Sequence, residues 1–150
     1  MKIYEKTSLI KCSLDALFAF HGDTKNLQTI SPKHIKVTLL NEDFVAKEGA
    51  VVRLKTVQNF VPIIWEVKIE RFESPSLLVD VAIKSPFKFW KHSHIFTQKE
   101  DGYCELKDRV EYLLPFGFLN FLFNVFVAHQ LKGMFAFRHE KTKQILEAKR

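Results

Sequence analysis

The sequence is poor in the residues that several kinds of site require. It contains only two cysteines, Cys12 and Cys104, and their separation matches no metal-ligand spacing. We expect both to be reduced thiols. Its five glycines are scattered along the chain, so there is no glycine-rich phosphate loop, and no serine or cysteine lies in a nucleophile motif. These absences argue against a P-loop nucleotide site, a zinc finger and nucleophilic catalysis.

The chain also lacks a long uninterrupted apolar segment. Its most apolar run, 113–128, is broken by Pro115, Gly117, Asn120 and Asn124, which makes it too short to span a bilayer. Charged side chains are mixed into the first residues, so no apolar signal-peptide region is present. We therefore expect a soluble, cytoplasmic protein.

A net charge of +6 is not gathered into one basic surface. The basic residues are spread along the chain, often alternating with apolar ones, and only the C-terminal tail is locally enriched in them. No helix-turn-helix, RNP-like or zinc-finger pattern is present. The sequence predicts no nucleic-acid partner.

The last third of the chain has the periodicity of one long helix. Between Phe116 and Glu147, apolar residues recur at three- and four-residue spacing, with Gly133 as the one glycine after Gly117. This stripe comprises Leu119, Leu122, Phe123, Phe126, Val127, Leu131, Met134 and Phe135, and ends at Arg138. So broad an apolar stripe has to be covered by another element.

The middle of the chain, from Ile35 to Tyr112, instead alternates apolar and polar residues with a period of two. A first strand, Lys2 to Ile10, and two short helices, Leu14 to Phe20 and Asp23 to Ile30, precede it. A sheet that is buried on one face needs a cover, and the C-terminal helix is the apolar element large enough to supply it. The sequence predicts an α+β fold in one domain, 1–150, with a curved antiparallel sheet of about seven strands wrapped around the long helix.

Alternation places several polar residues on the buried face of this sheet. His92 and His94 share a face with aromatic residues of one strand, and Asp108 lies on the inward face of the next. A short connection joins the two runs, so we expect a hairpin that sets Asp108 near His92 or His94. In the run from Leu77 to Lys84, the valines are expected inward and Asp80 outward.

Three interpretations of His92, His94 and Asp108 remain open. They could form a structural hydrogen-bond network, orient the polar end of a ligand in an apolar pocket, or perform acid–base catalysis with Asp108 setting a histidine tautomer. A metal would need a third ligand, such as Asp108 or His21, and the sequence does not show that they converge. We therefore predict no metal and no cofactor.

The aromatic residues on inward faces have two interpretations, core packing and the wall of a ligand cavity. The candidate ligand-binding residues are Trp65, Trp90, His92, His94, Phe96, Asp108, Val110, Tyr112, Phe123 and Leu131, with His92, His94 and Asp108 also the catalytic candidates. The phenylalanines from Phe116 onward either plug the core or form an apolar lip that admits ligand or makes transient contact with a membrane. The chain is expected to be a monomer or homodimer.

The order of elements and four local motifs resemble the START-type helix-grip superfamily, also called SRPBCC or polyketide cyclase/dehydrase-like. The motifs are Phe18-His21-Asp23-Asn26-Leu27; Ser85-Pro86-Phe87-Trp90-His92-His94-Phe96; Asp108-Val110-Tyr112-Leu114-Pro115-Phe116-Gly117; and Phe135-Phe137-Arg138. Ser85 stands where the pattern has glycine, and Phe137 where it has tyrosine.

This resemblance implies a cavity between sheet and long helix that holds a hydrophobic or amphipathic small molecule, such as a lipid, isoprenoid or polyketide-like compound. It leaves the activity open, because one fold hosts many functions. The first hypothesis is a non-enzymatic binding protein. The alternative is a cyclase/dehydrase-type enzyme that uses the cavity histidines and Asp108 for acid–base chemistry.

Overall fold

The computed structural model describes residues 1–149. Seven strands form one antiparallel sheet in the order β1-β7-β6-β5-β4-β3-β2. The strands are β1 (Lys2–Lys11), β2 (Ile35–Leu39), β3 (Val51–Gln58), β4 (Val61–Glu73), β5 (Leu77–Lys84), β6 (Phe89–Gln98) and β7 (Tyr103–Leu113). The predicted α+β architecture is confirmed.

Strands β2 to β7 form a meander, and β1, the first strand of the chain, pairs with β7 at one edge of the sheet. The β6–β7 hairpin has the expected register, because His94 lies opposite Asp108 and His92 opposite Val110. The β4–β5 pairing shifts register between Glu66 and Val67 and again between Ile69 and Arg71. Such irregularities bend a strand and increase its twist, and they help the sheet to curve.

Two short helices, α1 (Leu14–Gly22) and α2 (Asn26–Thr29), follow β1. The Ser13 hydroxyl caps α1 by accepting a hydrogen bond from the Ala16 amide at 3.1 Å. The second helix is shorter than the predicted 23–30, since the Asp23 carboxylate accepts a hydrogen bond from the Lys25 amide. This local bond favours a turn over the first helical residues.

The long helix α3 (Asn120–Ala148) begins later than predicted. Residues Gly117–Leu119 form a separate 3₁₀ turn. Gly117 has a φ of +59°, a left-handed conformation that glycine adopts easily and that interrupts a helix. The Asn120 side chain accepts a hydrogen bond from the Phe116 amide at 2.9 Å, which stabilises this bend.

The expectation that the sheet covers the whole apolar stripe of α3 is wrong. The buried residues of α3 are Leu131, Phe135, His139, Thr142 and Leu146, all in its C-terminal part. The earlier turns are exposed: Phe126 is 62% and Phe123 41% accessible to solvent. A helix of 29 residues is roughly 44 Å long, so it extends past the sheet.

The interior contains two clusters of buried apolar residues rather than one. The first joins α1 to the sheet and to Leu146 of α3. The second joins Trp90, Val110 and Tyr112 of the sheet to Leu131 and Phe135 of α3. Among residues 1–149, no helix has both the length and the apolar character that crossing a bilayer requires.

Candidate site: a cavity with a histidine–aspartate cluster

A cavity of about 360 Å³ lies between α3, α2 and the concave face of the sheet. Its apolar wall follows the period of two along the strands, as Val52 and Leu54 in β3 and Ile63, Trp65 and Val67 in β4 show. Because α3 packs along β1, at the edge of the sheet, the helix does not fill the space above β2 to β5. The cavity occupies that space.

Asp108 is the centre of a buried polar cluster in the cavity wall. Its Oδ1 lies 2.7 Å from His92 Nε2 and its Oδ2 lies 2.6 Å from His139 Nε2. Asp108 is 3%, His92 6% and His139 2% exposed. One carboxylate on β7 therefore binds β6 and α3 at the same time, in a region from which water is largely excluded.

The chemistry of the carboxylate fixes the direction of these bonds. An ionised carboxylate only accepts hydrogen bonds, so His92 and His139 each donate an Nε2–H to Asp108. Nδ1 of His139 lies 2.7 Å from the Ser8 hydroxyl of β1. The network therefore runs from Ser8 of β1 through His139 of α3 to Asp108 of β7 and His92 of β6.

His94 lies between two carboxylates. Its Nε2 is 3.0 Å from Oδ2 of Asp80, and its Nδ1 is 3.0 Å from Oδ1 of Asp108, although this second contact is not aligned as a hydrogen bond. The rings of His92 and His94 are close and tilted by 35°, with centroids 3.8 Å apart. Two imidazolium ions at that separation would repel each other, which favours one protonated ring in the pair.

The pKa shifts follow from this arrangement. Burial lowers the pKa of His94, but contacts with Asp108 and Asp80 outweigh it and raise the pKa to about 9. Burial and the neighbouring His94 lower the pKa of His92. Burial raises the pKa of Asp108, yet its contacts with His92, His139 and His94 hold that pKa well below its ordinary value. At neutral pH, Asp108 is ionised and His94 is the protonated imidazole.

His21, at the end of α1, adds a further imidazole to the cavity wall. Its Nδ1 donates a hydrogen bond to the Leu17 carbonyl at 3.0 Å, which leaves Nε2 as an acceptor. Burial and the charge of His94 lower the pKa of His21 to about 4. His21 is therefore neutral at physiological pH.

Arg138 of α3 also lines the cavity. Its guanidinium carbon lies 5.6 Å from the centroid of the Phe135 ring, within the range of a cation–π contact. Burial lowers the pKa of Arg138, while Asp108 and Asp80 oppose that change. The reference pKa of arginine is so high that the side chain remains cationic.

One group of side chains has the composition of a metal site. Donor atoms of Asp80, His92 and His94 lie within 4.8 Å of one another, and within residues 1–149 no other group of at least three histidine, cysteine or acidic ligands does so. These atoms already have partners, however, since His92 Nε2 contacts Asp108 and His94 Nε2 contacts Asp80. The cluster is satisfied by its own hydrogen bonds and ion pairs.

The structure brings six of the ten candidate ligand-binding residues to the cavity. These are Trp65, Trp90, His92, His94, Asp108 and Leu131. The other four lie elsewhere: Phe96 packs in the first apolar cluster, Val110 and Tyr112 pack in the second, and Phe123 is on the exposed part of α3, 4.6 Å from the Phe116 ring. A ligand contact by the first six stays a prediction.

Sequence reasoning did not identify Asp80, His139 and Arg138 as site residues. Asp80 was expected to face outward, but it lies in the cavity wall with Leu78, because both faces of β5 are largely apolar and alternation alone does not fix which one is inside. His139 could have been found, since it follows Phe135 by one helical turn on the buried face of α3.

Comparison with known proteins shows which solved structures share this architecture. No protein-family model and no curated protein sequence matches the chain. Solved structures do match: a START superfamily protein from Mycobacterium smegmatis is 11% identical with a TM-score of 0.72 and covers 99% of each chain. Norcoclaurine synthase from Thalictrum flavum, in complex with dopamine and hydroxybenzaldehyde, is 13% identical with a TM-score of 0.69, over 96% of this chain and 85% of that one.

A third match is the di-domain ARO/CYC protein StfQ from the steffimycin biosynthetic pathway. It is 11% identical with a TM-score of 0.75, over 98% of this chain and 51% of that one. The chain has the START-type helix-grip fold. Sequence identities this low establish the fold alone. The resemblance found in the sequence is therefore confirmed for the fold. The function of this helix-grip protein has to be argued from its own cavity.

The raised pKa of His94 predicts a specific dependence of stability on pH. Its folded pKa of about 9 lies above the value of about 6.5 in an unfolded chain. Protonated His94 therefore stabilises the fold fully below about pH 6.5, and this contribution is lost as the pH rises through 9. Replacing His94 with Gln should remove this loss, which is of the order of a few kcal/mol.

Urea unfolding of both proteins between these two pH values measures the difference. The cysteines are common to both, so their titration cancels. His34→Gln, at an exposed position, should keep the wild-type pH dependence. Equal slopes for wild type and His94→Gln would show that His94 is not the titrating group.

Proposed function

We propose that this protein binds a hydrophobic or amphipathic small molecule in the cavity between the sheet and α3. The observation that carries the proposal is the cavity itself, about 360 Å³ with mainly apolar walls. Binding pockets for small molecules are typically concave and apolar, with a few converging polar groups. Here the polar groups are gathered in the histidine–aspartate cluster and Arg138, while Trp65 and Trp90 supply aromatic wall surface.

Filling the cavity with a larger side chain should weaken the binding of an apolar probe. Leu54 lines the cavity, so Leu54→Trp should place an indole in it and reduce the affinity for the neutral fluorescent probe N-phenyl-1-naphthylamine by roughly tenfold or more, as expected when a well-packed ligand site is obstructed. The measurement is a fluorescence titration, accompanied by native mass spectrometry of protein purified from cells.

Leu9→Trp provides the matched control. Leu9 is exposed on β1, outside the cavity, so this variant should bind the probe as wild type does. Equal probe affinity in wild type and Leu54→Trp would contradict the cavity as the binding site, and so would a co-purified ligand that is retained in full by Leu54→Trp.

The second candidate function is acid–base catalysis of the cyclase/dehydrase type, and the hydrogen bonds of His92 favour it. Asp108 orients the His92 ring and sets its tautomer, and the lowered pKa of His92 keeps the ring neutral and able to accept a proton. Asp108 is itself held by His139, so the arrangement is rigid.

On this second candidate, His92→Gln should lower turnover by about 10² to 10⁴, the usual contribution of a positioned acid or base, while binding of the fluorescent probe is unchanged. The assay is a panel of cyclisation and dehydration substrates analysed by mass spectrometry. Turnover that survives in His92→Gln would rule out His92 as the proton carrier. If no substrate of the panel gives a product, the catalytic candidate fails and binding remains the proposed function.

We further propose that the exposed segment 116–126, which comprises the 3₁₀ turn and the first residues of α3, makes transient contact with an anionic membrane. Its large apolar residues are accessible to solvent: Phe116, Phe118, Leu119, Phe121, Leu122, Phe123, Val125 and Phe126. The antiparallel topology puts Phe60, in the β3–β4 turn and 98% exposed, at the same end of the sheet. Exposed Lys84 and Lys88 flank the β5–β6 turn at this end, and they supply charge complementary to anionic lipid.

The double variant Phe118→Glu, Phe121→Glu should lose most binding to vesicles, because it removes apolar anchors and adds negative charge. Flotation with phosphatidylglycerol vesicles measures this, and wild-type binding should weaken at high salt or on phosphatidylcholine alone. Leu9→Glu, on the exposed face of β1, is the control. If wild type does not float with anionic vesicles at low salt, this contact is refuted.

A further inference from the structure

The guanidinium of Arg138 has no acceptor among residues 1–149. It forms no ion pair there, and its Nε is buried without a hydrogen-bond partner. Arg138 as a whole is only partly buried, but leaving its buried Nε–H without an acceptor is costly. The phenyl ring of Phe135 beside it offers a π face but no oxygen, so it does not supply that acceptor.

The two carboxylates whose charges act on Arg138, Asp108 and Asp80, already form hydrogen bonds with histidines. Asp108 accepts hydrogen bonds from His92 and His139, one on each oxygen. Asp80 is bonded to His94. The cluster thus satisfies the oxygens of its own acids with imidazoles. No carboxylate among residues 1–149 forms an ion pair with Arg138, although the charges of Asp108 and Asp80 act on it from a distance.

A second unpartnered atom lies on the same helix. Within residues 1–149, the buried side-chain nitrogen and oxygen atoms without a hydrogen bond are His94 Nδ1, Arg138 Nε and Thr142 Oγ1. His94 Nδ1 contacts Asp108 Oδ1 at 3.0 Å, so the two atoms with neither a hydrogen bond nor an ion pair are those of Arg138 and Thr142. Both residues line the cavity, and Thr142 lies one helical turn beyond Arg138 on α3. Since buried polar groups are nearly always satisfied in native proteins, these two atoms point to a missing polar partner inside the cavity.

We propose that Arg138 binds the carboxylate of an amphipathic acid whose apolar part occupies the cavity. This proposal rests on the proposed function and names the class of ligand. A guanidinium presents a planar fork of donors that matches a carboxylate in two parallel hydrogen bonds. The apolar wall beyond it, including Met134 and Trp65, suits a hydrocarbon chain or ring system attached to that acid group.

Asp108 and Asp80 both place negative charge near Arg138, and the protonated His94 between them offsets only one of these charges. Binding of a carboxylate therefore depends on the hydrogen bonds that the Arg138 guanidinium donates. A neutral alcohol of the same length would bury the same apolar surface but would gain only one weaker hydrogen bond. The acid and alcohol therefore differ in the one interaction that the proposal assigns to Arg138.

Isothermal titration calorimetry at a pH slightly above neutral, with saturated fatty acids of medium chain length and the primary alcohols of equal length, tests this assignment. Wild type should bind the acids roughly ten- to hundredfold more tightly than the alcohols, the range of a charge-assisted hydrogen bond. Arg138→Met should lose that preference and keep the affinity for the alcohols. Arg138→Lys retains the positive charge but not the planar pair of guanidinium donors, so it should keep part of the preference for acids.

Arg53→Met is the matched control, since Arg53 is a surface residue paired with Glu66 outside the cavity. It should bind both series as wild type does. The acid–alcohol comparison in wild type needs no variant, and Arg138→Gln replaces Arg138→Met if the latter does not fold.

The outcomes separate this proposal from the proposed function. Equal affinity for acids and alcohols in wild type, with both lost in Leu54→Trp, overturns the role of Arg138 and leaves the cavity as a binding site. An acid preference that persists in Arg138→Met also overturns it. If wild type binds neither series and does not bind N-phenyl-1-naphthylamine, the proposed function fails together with this one.

Discussion

The buried carboxylate of Asp108 is the constraint on which the rest of the interior depends. It is held by His92 of β6 and His139 of α3 at hydrogen-bond distances of 2.7 and 2.6 Å, and Ser8 extends this link to β1. An ionised group at this depth is tolerable only with its partners in place, and removing one partner of a buried charge pair typically costs about 3–5 kcal/mol. The position of α3 relative to the sheet is thereby tied to a polar contact, in addition to the apolar packing of Phe135 and Leu131.

This anchoring at one edge also explains why the interior contains open space. The buried face of α3 is confined to its C-terminal part, and it packs along β1. The curved strands β2 to β5 therefore face α3 without direct packing over much of their length, and the side chains of Leu54 and Trp65 line the gap. The 3₁₀ turn and the first residues of α3 lie outside this packed part, with Phe118 of the turn 86% exposed.

The sequence predicted those features that local periodicity determines. The period of two gave the strands and placed His92, His94 and Asp108 on inward faces, and the short connection predicted a hairpin that sets Asp108 near His92 or His94. The structure decides the register, with His94 opposite Asp108. The start of α3 was not predictable from periodicity, because it depends on the left-handed conformation of Gly117. Asp80 was misplaced because β5 is apolar on both faces, and the burial of His139 depends on which part of α3 meets the sheet. Those are tertiary properties that a one-dimensional pattern does not contain.

The polar cluster and the apolar cavity together favour recognition over structural closure of the core. A purely structural network would satisfy every buried polar group from within the protein, and Asp108, His92 and His139 meet that condition. Arg138 does not. Stability of the core alone does not explain a guanidinium at position 138, since an apolar side chain of similar volume would avoid its desolvation cost. A guanidinium without an ion pair among residues 1–149, beside a cavity bounded by tryptophan and aliphatic side chains, fits the proposed site for an amphipathic anion.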